Sequence, residues 1–365
     1  MIDLLIIARG HPDQVASTRY RVAAFLPYLE EEGIKFRMVI PPARRKACFF
    51  LWPVFYAEVL FFGFKAKTIL VQKDIFLLVL WRLFKRAGKR IVYDFDDAIY
   101  YKGHRGEKHV YFVSLRKKEP AKMVSEMVAL ADHVIVANQR LFQFARRFSK
   151  SAEVLPMAVA PASFPLRARE NRHPVTIGWI GSPITASHLA ILEVPLGEIC
   201  RRYRQRVRIK IVTSGSVPLN GVVFEHHVWT KDDELDHLYS FDIGLVPLRM
   251  DDEVAASKSS YKLLQFMAAG LPTVSSSLGF NNEVIQTGVN GFLAANIQQW
   301  IGALETLVVN VDLRWRMGSA ARATVESSFA LEKIAARWME IVPNCERGDI
   351  ATESEKITPN SLARV

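Results

Sequence analysis

The chain has 365 residues, half of them hydrophobic, which is enough for two domains of ordinary size with large cores. Its net charge of +11 is concentrated in residues 1–150, which hold 27 Lys and Arg against 14 Asp and Glu. A basic first half predicts an anionic partner or surface. The three cysteines, Cys48, Cys200 and Cys345, have no metal-ligand spacing and argue against a disulfide framework.

Strands and helices alternate in the first half, which predicts a parallel sheet with right-handed crossovers. The N-terminus has no basic segment before its apolar residues, so we interpret 4–8 as a buried strand rather than part of a signal peptide. The next predicted elements are a helix at 17–32, strands at 36–40 and 68–72, a helix at 77–86, a strand at 90–93, a helix at 120–131, a strand at 133–137 and a helix at 139–149.

The stretch 47–64 is almost entirely apolar, and basic residues flank it on both sides. Its length is near the minimum for a membrane-spanning helix, but Pro53 and Glu58 make a span unfavourable. Two further interpretations stay open: a helix buried against the first domain, or a helix that docks on the surface of an anionic membrane.

A proline-rich stretch at 156–174 is predicted to link two domains. A second alternation follows it, and residues 346–365 are polar and without periodicity, which predicts a disordered tail. The predicted elements of this half are a strand at 175–180, a helix across 185–203, strands at 207–213 and 222–226, a helix at 232–239, a strand at 242–247, and helices at 297–310, 311–326 and 331–342.

The segment 242–294 has the pattern strand, loop, helix, strand, glycine loop, helix. Its first helix begins at 257–260, SKSS, and a helix N-terminus offers backbone N–H groups and the positive end of the helix dipole to an anion. Lys258 and Lys262 are four residues apart and can reach the same side. Together with the loop at 278–282, they predict a diphosphate site, although solvated lysines and an ordinary turn are the alternative interpretation.

Three carboxylates, Asp94, Asp96 and Asp97, follow the strand at 90–93. They repel one another unless they are solvated or paired, and one of them can orient or deprotonate an acceptor hydroxyl. A strand terminus with an N-capping Asp is the alternative. Further candidates for the cleft are His104 and His109 in the first half and Trp229 in the second, with core packing as the alternative for Trp229.

The sequence KLLQFMAAGLPTVSSSLGFNNEVIQTGVNGFLA at 262–294 resembles the donor-binding segment of GT-B glycosyltransferases, specifically the retaining family 4 (glycosyl transferases group 1). Weaker resemblances occur in the same order along the chain, so that the similarity covers roughly residues 1–345. They are STRYR at 17–21, YDFDD at 93–97, GWIGS at 178–182 and DIGLVPL at 242–248.

The resemblance implies an α/β protein of the GT-B fold, with two Rossmann-like domains that face each other across a cleft. It implies an acceptor-binding domain over 1–160, a nucleotide-sugar-binding domain over 170–330, and a helix at 331–345 that crosses back to the first domain, ahead of the disordered tail at 346–365. The implied activity is transfer of a sugar, with retention, from a nucleotide-sugar to a glycan or lipid-linked acceptor. No metal or other cofactor is expected, because basic side chains and helix N-termini neutralise the departing diphosphate.

The expected setting is cell-surface polysaccharide or lipopolysaccharide synthesis, in the cytoplasm and peripheral on the inner face of the cell membrane. Nucleic acid is not an expected partner, because we find no stacking-aromatic or groove-helix motif. The donor-binding residues are expected to be Gly181, Ser182, Lys258, Ser260, Lys262, Gln265, Gly279, Phe280 and Asn281. The acceptor-binding residues are expected to be Ser17, Arg19, Arg21 and His104, with Asp94 and Asp97 as catalytic carboxylates.

Two departures from the family pattern leave other functions open. The family often carries two glutamates eight residues apart across the donor helix, where this chain has Ser257 and Gln265. Gln265 can still form a hydrogen bond with a ribose hydroxyl, but it has no charge. A basic pair is also missing at 181–185, so the phosphate role falls to Lys258 and Lys262. A nucleotide-sugar epimerase of the same fold and a non-catalytic scaffold with a degenerate donor site remain alternatives.

Overall fold

The computed structural model describes residues 2–42, 50–73, 78–101, 119–166, 171 and 173–343. The predicted tail at 346–365 and the candidates His104 and His109 lie outside these residues. Within them the chain forms two six-stranded sheets, in which every pair of neighbouring strands is parallel.

The first sheet has the strand order β2-β1-β3-β4-β5-β6. Its strands are β1 (Ile2–Ile7), β2 (Phe36–Val39), β3 (Ala66–Gln72), β4 (Arg90–Phe95), β5 (His133–Val136) and β6 (Ala152–Val154). The helices of this half are α1 (Ala16–Arg21), α2 (Leu26–Glu31), α3 (Trp52–Lys65), α4 (Leu78–Arg86), α5 (Pro120–Leu130) and α6 (Gln139–Ala145).

Helices cover both faces of the first sheet. Successive side chains of a strand point to opposite faces, so the two sets of β1 side chains pack in different clusters. Leu4 and Ile6 of β1 pack in the same buried cluster as Leu29 of α2. Leu5 and Ile7 pack on the other face, in the cluster that contains Val59 of α3. This two-sided burial explains why the strands are apolar throughout.

The predicted helix at 17–32 is interrupted. Val22, with φ −131° and ψ −64°, ends α1, and a short 3-10 turn at 23–25 leads into α2. Pro27 lies in the first turn of α2, where its missing N–H costs no helical hydrogen bond.

In the apolar stretch 47–64, helix α3 begins at Trp52. Phe55, Val59 and Gly63 are buried against the first domain. Its other face is apolar and exposed, with 62% of Val54 and 55% of Phe61 accessible. Within the part of the chain that the structure describes, no helix is long and apolar enough to cross a membrane.

The second sheet has the strand order β12-β11-β10-β7-β8-β9. Its strands are β7 (Val175–Ile180), β8 (Val207–Val212), β9 (Glu225–His227), β10 (Ile243–Val246), β11 (Thr273–Ser276) and β12 (Phe292–Ala294). The helices are α7 (Glu193–Tyr203), α8 (Glu234–Ser240), α9 (Glu253–Ala256), α10 (Tyr261–Ala268), α11 (Phe280–Val284), α12 (Ile297–Val309), α13 (Val311–Ser328) and α14 (Leu331–Ile341). The helix predicted across 185–203 is a 3-10 segment at 185–192 followed by α7.

Two glycines let aromatic rings pack directly on the centre of the second sheet. A Cβ at Gly178 of β7 would lie 2.1 Å from the ring of Phe241, and one at Gly244 of β10 would lie 3.0 Å from the ring of Phe266. Phe266 belongs to α10, so the absence of a side chain at Gly244 allows this helix to approach the sheet closely. The start of α10 is thereby held at the carboxyl edge of the strands.

The last helix, α14, packs against the first sheet. The ring centroid of Trp338 lies 5.2 Å from that of Phe25, and Arg90 Nη1 donates to the carbonyl oxygen of Val342 at 3.0 Å.

The two passages of the chain between the domains are bonded to each other. The Val159 N–H donates to the Phe329 carbonyl at 3.0 Å, and the Leu331 N–H donates to the Val159 carbonyl at 2.8 Å. Just beyond Val159, the guanidinium of Arg322 in α13 donates to the carbonyls of Pro161 and Phe164. Residues 161–164 are therefore attached to the second domain.

Candidate functional site

The carboxyl edges of the two sheets meet around residues 257–261. Ser259 Oγ donates to the carbonyl oxygen of Asp96 at 2.8 Å, and Asn138 Nδ2 donates to the carbonyl oxygen of Ser257 at 2.9 Å. The segment that leads into α10 thus lies against the ends of β4 and β5. Ligands of open parallel sheets bind at these edges, so this junction is the candidate site.

Two aromatic rings add to the junction between the domains. The rings of Tyr20 and Tyr261 are stacked, with centroids 3.9 Å apart. Burial and the neighbouring phenol of Tyr20 raise the pKa of Tyr261 well above its usual value. Tyr261 is therefore neutral at physiological pH, and the stack links the first residue of α10 to α1.

Arg21 and Asp94 form a buried ion pair at the end of β4. Arg21 Nη2 lies 2.5 Å from Asp94 Oδ1, Nε lies 3.1 Å from both carboxylate oxygens, and Nη1 donates to the carbonyl oxygen of Leu155. Only 3% of Arg21 and 1% of Asp94 is accessible. Burial lowers the pKa of Arg21, but the carboxylates of Asp94, Asp96 and Asp97 together outweigh this effect, so the net shift of the pKa is upward.

This pairing corrects two expectations from the sequence. Asp94 was expected to act on the acceptor, and Arg21 was expected to bind it. Because each of these side chains satisfies the other below the surface, neither is placed to contact a substrate. We assign both to the support of the site.

The other two carboxylates share one ammonium group. Lys73 Nζ lies 2.5 Å from Asp96 Oδ1 and 2.7 Å from Asp97 Oδ2. Burial and the neighbouring Asp97 raise the pKa of Asp96, despite the opposing effect of Lys73. The Asp97 side chain is 32% accessible against 10% for Asp96. Asp97 is therefore the carboxylate of this cluster that a ligand can reach.

The loop between β1 and α1 is fixed by Gln72, a completely buried residue at the end of β3. Gln72 Oε1 accepts from the Thr18 hydroxyl at 3.0 Å, and Nε2 donates to the Ser17 carbonyl at 3.0 Å. Arg19 donates to the carbonyl oxygens of residues 12 and 13. Ser17 and Arg19, expected to bind the acceptor, thus have partners within the first domain, and Gln72 is a supporting residue that the sequence did not single out.

Ser260 takes a left-handed conformation directly before α10, with φ 39° and ψ 45°. Such a conformation costs a residue with a side chain about 1–2 kcal/mol and is concentrated at functional sites. Its Oγ is buried and has no hydrogen-bond partner among the described residues, and within them no side chain caps the N-terminus of α10. The first turn of α10 therefore keeps backbone donors that an anion can use.

Lys258 lies beside a buried imidazole. Its Nζ is 3.1 Å from His188 Nε2, which accepts from the ammonium group when the ring proton is on Nδ1. His188 is only 5% accessible and belongs to the 3-10 segment after β7. Since an ammonium group has three N–H donors, the imidazole can orient Lys258 while the lysine also binds an anion. No local sequence pattern points to His188.

Lys262 points instead to a carboxylate. It forms an ion pair with Glu234 of α8, and Gln265 Nε2 donates to the same Glu234 oxygen at 3.2 Å. The positive charge of Lys262 is therefore balanced within the protein. Two residues expected to bind the donor, Lys262 and Gln265, are brought together by a glutamate that the sequence analysis missed.

The glycine loop before α11 passes close to α9. Gly279 has φ +53°, and a Cβ there would lie 2.0 Å from the carbonyl oxygen of Ala256. The expected donor contacts Phe280 and Asn281 have side chains that point inward. Phe280 packs in the core against Phe329, and Asn281 Nδ2 donates to the Ser276 carbonyl at 2.9 Å. Both side chains are thus engaged within the second domain, and their part in donor binding stays a prediction.

The backbone and hydroxyl groups of the loop after β7 have partners within the second domain, and donor binding by Gly181 and Ser182 stays a prediction. The Gly181 N–H donates to the carbonyl oxygen of Val212, and a Cβ at Gly181 would lie 2.5 Å from the ring of Trp179. Ser182 is exposed and its carbonyl oxygen accepts from the Thr185 N–H. Trp229 is partly buried against the core cluster below α10. In the described ranges, no three His, Cys, Asp or Glu side chains are grouped so as to hold a metal ion.

Residues 176–310 match the family model described as glycosyl transferases group 1. A segment of 133 residues is 33% identical to spore coat protein SA of Bacillus subtilis (strain 168), covering 35% of this chain and 33% of that protein. The match thus spans about a third of this curated relative.

Solved structures resemble almost the whole chain. The Anabaena protein HepE, crystallised with UDP and glucose, superposes with a TM-score of 0.67 at 14% identity, covering 93% of this chain and 99% of that one. Sucrose-phosphate synthase from Thermosynechococcus elongatus gives 0.69 at 13% identity, covering 93% and 97%. The lipopolysaccharide outer core galactosyltransferase WaaB gives 0.58 at 12% identity, covering 92% and 98%. The predicted GT-B fold of two Rossmann-like domains is confirmed.

Proposed function

We propose that the chain is a glycosyltransferase, because residues 176–310 match the family model of glycosyl transferases group 1 and the chain has a GT-B fold. It moves a sugar, with retention, from a nucleotide-sugar held by the second domain to a glycan or lipid-linked acceptor held by the first. The observation that carries this proposal is the position of Lys258 beside the uncapped N-terminus of α10, at the junction with the first domain. Crystals of the structurally similar HepE hold UDP and UDP-glucose, which supports a nucleoside diphosphate as the leaving group.

The proposed chemistry is electrostatic. As the bond between sugar and diphosphate breaks, negative charge develops on the diphosphate, and the Lys258 ammonium and the first N–H groups of α10 stabilise it. These groups are already fixed by His188 and by the packing of α10 on the sheet, so they need little rearrangement during the reaction. A metal ion is not required in this scheme.

On the acceptor side, Asp97 is the proposed contact with the acceptor hydroxyl. It is the accessible carboxylate at the end of β4, and Lys73 keeps it close to Asp96. A carboxylate within hydrogen-bond reach of the hydroxyl can orient it and accept its proton. Contact between the two domains around 257–261 excludes water from the reacting groups and limits hydrolysis of the donor.

The proposed location is the cytoplasmic face of the cell membrane, where the protein acts in cell-surface polysaccharide or lipopolysaccharide synthesis. The exposed apolar side chains of α3 and α4 support peripheral binding, with 46% of Phe64 and 77% of Val79 accessible. Exposed basic residues lie on the same two helices, at Lys65 and Arg82. Each such charge near an anionic leaflet contributes about 1 kcal/mol to binding. The galactosyltransferase WaaB, which shares the fold, is named for lipopolysaccharide outer core synthesis.

The test is a panel of UDP-, GDP- and dTDP-sugars with the wild-type protein, Lys258→Ala and the control Lys333→Ala, which alters an exposed lysine of α14. We expect one nucleotide-sugar to bind and to release free sugar and nucleotide slowly without an acceptor. Lys258→Ala should weaken binding at least tenfold, and Lys333→Ala should leave it unchanged.

Three results would contradict the proposal. Absence of binding to every member of the panel would remove the donor site. Binding without turnover, with or without added acceptor glycans, would favour a scaffold. Conversion of the nucleotide-sugar into an isomer without release of nucleotide would favour an epimerase.

A further inference from the structure

A nearly buried carboxylate lies beside the donor helix and has no role in the chemistry described above. Glu234 is the first residue of α8, which follows β9 through the loop 228–233. The carboxyl ends of parallel strands share one edge of a sheet, so Glu234 lies at the same edge as the start of α10. One of its oxygens, Oε1, accepts from both Lys262 and Gln265, and only 8% of the residue is accessible.

Two acceptor atoms in this group can take further donors. Among the described residues, Oε1 of Gln265 is buried without a hydrogen-bond partner. The bonds from Lys262 and Gln265 both go to Oε1 of Glu234, and Oε2 of Glu234 is not one of the buried unpaired atoms, so it is open to a further donor. An unpaired buried acceptor costs about 1–3 kcal/mol, and a carboxylate can accept up to about four hydrogen bonds. The buried Oε1 of Gln265 therefore lacks a donor, and the neighbouring Oε2 of Glu234 can accept from a second one.

The hydroxyl groups of a ribose are two such donors. In α/β proteins that bind nucleotides at this edge of the sheet, a carboxylate commonly accepts a hydrogen bond from a ribose hydroxyl. Here the donor helix carries uncharged Ser257 and Gln265, and the carboxylate comes from α8. It reaches the side chain of Gln265 directly, at 3.2 Å from Nε2.

We propose that Glu234 binds the ribose of the nucleotide donor, a role that rests on the proposed function. Oε2 of Glu234 accepts from one ribose hydroxyl and Oε1 of Gln265 accepts from the other. Lys262 is a positioning residue, because its ion pair with Glu234 holds the carboxylate in place. The diphosphate is left to Lys258 and the N-terminus of α10, and the two lysines have different tasks.

This assignment predicts selectivity for ribonucleotides. A site built to form hydrogen bonds with a hydroxyl discriminates against an analogue that lacks it, because the polar groups of the site are then left unpaired. A glutamate that only stabilised α10 through Lys262 would give no such selectivity.

The experiment measures dissociation constants for UDP and GDP and for their 2′-deoxy and 3′-deoxy analogues. The proteins are the wild type, Glu234→Gln and the control Asp236→Asn, which alters an exposed carboxylate of the same helix. We expect the wild type to bind the preferred ribonucleotide at least tenfold more tightly than one of its deoxy analogues. Glu234→Gln should weaken ribonucleotide binding about tenfold and binding of that analogue less than twofold, whereas Asp236→Asn should match the wild type.

The outcomes separate this inference from the proposed function. If the wild type binds neither UDP nor GDP nor any donor of the panel, the proposed function fails and this inference fails with it. If the wild type binds a nucleotide but Glu234→Gln weakens the ribo and deoxy forms equally, or neither, the inference alone is overturned.

A second variant guards against misfolding, since Glu234→Gln leaves Lys262 without its counter-ion. The exchange Glu234→Gln with Gln265→Glu keeps one carboxylate and one amide in the pair. With a melting temperature close to that of the wild type, this double variant should recover most of the preference for ribose. A folded double variant that lacks the preference would contradict the role of the carboxylate.

Discussion

The guanidinium of Arg21 and the carboxylate of Asp94 form a buried ion pair below the cleft, although 73 residues separate them in the chain. Removing one partner of such a pair leaves an unpaired buried charge, which costs about 3–5 kcal/mol. We therefore expect Asp94→Asn and Arg21→Met each to lower the free energy of unfolding of the first domain by about that amount, measured by urea denaturation.

The double variant Arg21→Met with Asp94→Leu is the control for this prediction. It removes both charges, so it should be less destabilised than either single variant. Single variants as stable as the wild type would show that the pair is not structural, and the assignment of both residues to the support of the site would fail.

Gly279 allows the glycine loop to approach α9, and we expect Gly279→Ala to disrupt the donor site. The new Cβ would overlap the Ala256 carbonyl at 2.0 Å, and a positive φ is strained for alanine. Binding of the nucleotide-sugar should weaken at least tenfold by calorimetry, with a loss of stability of about 1–3 kcal/mol. Gly288→Ala is the matched control, because its φ is +85° but no atom lies within 4 Å of the added Cβ. Gly288→Ala should lose stability because of the strained backbone but should bind the nucleotide-sugar as the wild type does. Equal losses of nucleotide-sugar binding in the two variants would contradict the steric explanation.

The exposed apolar face of α3 provides a test of membrane binding. We expect the wild type to sediment with vesicles that contain phosphatidylglycerol, and Phe61→Ser with Phe64→Ser to reduce the bound fraction at least fivefold. Both rings are accessible, at 55% and 46%, so their loss should leave the melting temperature nearly unchanged. Val223→Ser, which alters an apolar side chain of the second domain that is 88% accessible, should bind as the wild type does. Undiminished sedimentation of the double variant would exclude this face as the docking surface.

Because His133 is partly buried, we expect the free energy of unfolding to fall in mild acid. Burial lowers the pKa of His133 from the usual 6.5, an effect that exceeds the opposing attraction of Glu153. The unfolded chain therefore takes up this proton at a higher pH than the folded protein, and the free energy of unfolding falls as the pH drops below about 6.5. We expect His133→Asn to show a smaller decrease between pH 7.5 and 5.5 in urea titrations.

Part of the slope should persist in His133→Asn, because burial also lowers the pKa of His237. His11→Asn, at an exposed position, is the control and should keep the slope of the wild type. A stability that is independent of pH in this range would contradict the prediction.

The sequence predicted the architecture well because local patterns determine it. Apolar runs such as 175–180 specify buried parallel strands, and the segment 242–294 places a strand, a helix and a glycine loop in their observed order. The break at Val22 was missed, because the periodicity of 17–32 continues through it. Pro27, at the start of α2, was the available signal.

The partners of the site residues could not be predicted in the same way. Gln72, His188 and Glu234 hold residues that are 28 or more positions away in the chain, and no local pattern records such pairs. The sequence therefore indicated which segments meet at the cleft. It did not indicate that Lys262, predicted to bind a phosphate, forms an ion pair with Glu234.

Val159 is bonded to both Phe329 and Leu331, so the outgoing and returning chains are joined at one point. Arg322 fixes the segment beyond this point to the second domain. Any movement of one domain away from the other would turn about this joined pair of segments. It would break the contacts between the domains, among them the stacked tyrosines and the Ser259–Asp96 and Asn138–Ser257 bonds. In the proposed transferase, entry of the donor and release of the nucleotide would both require these contacts to break.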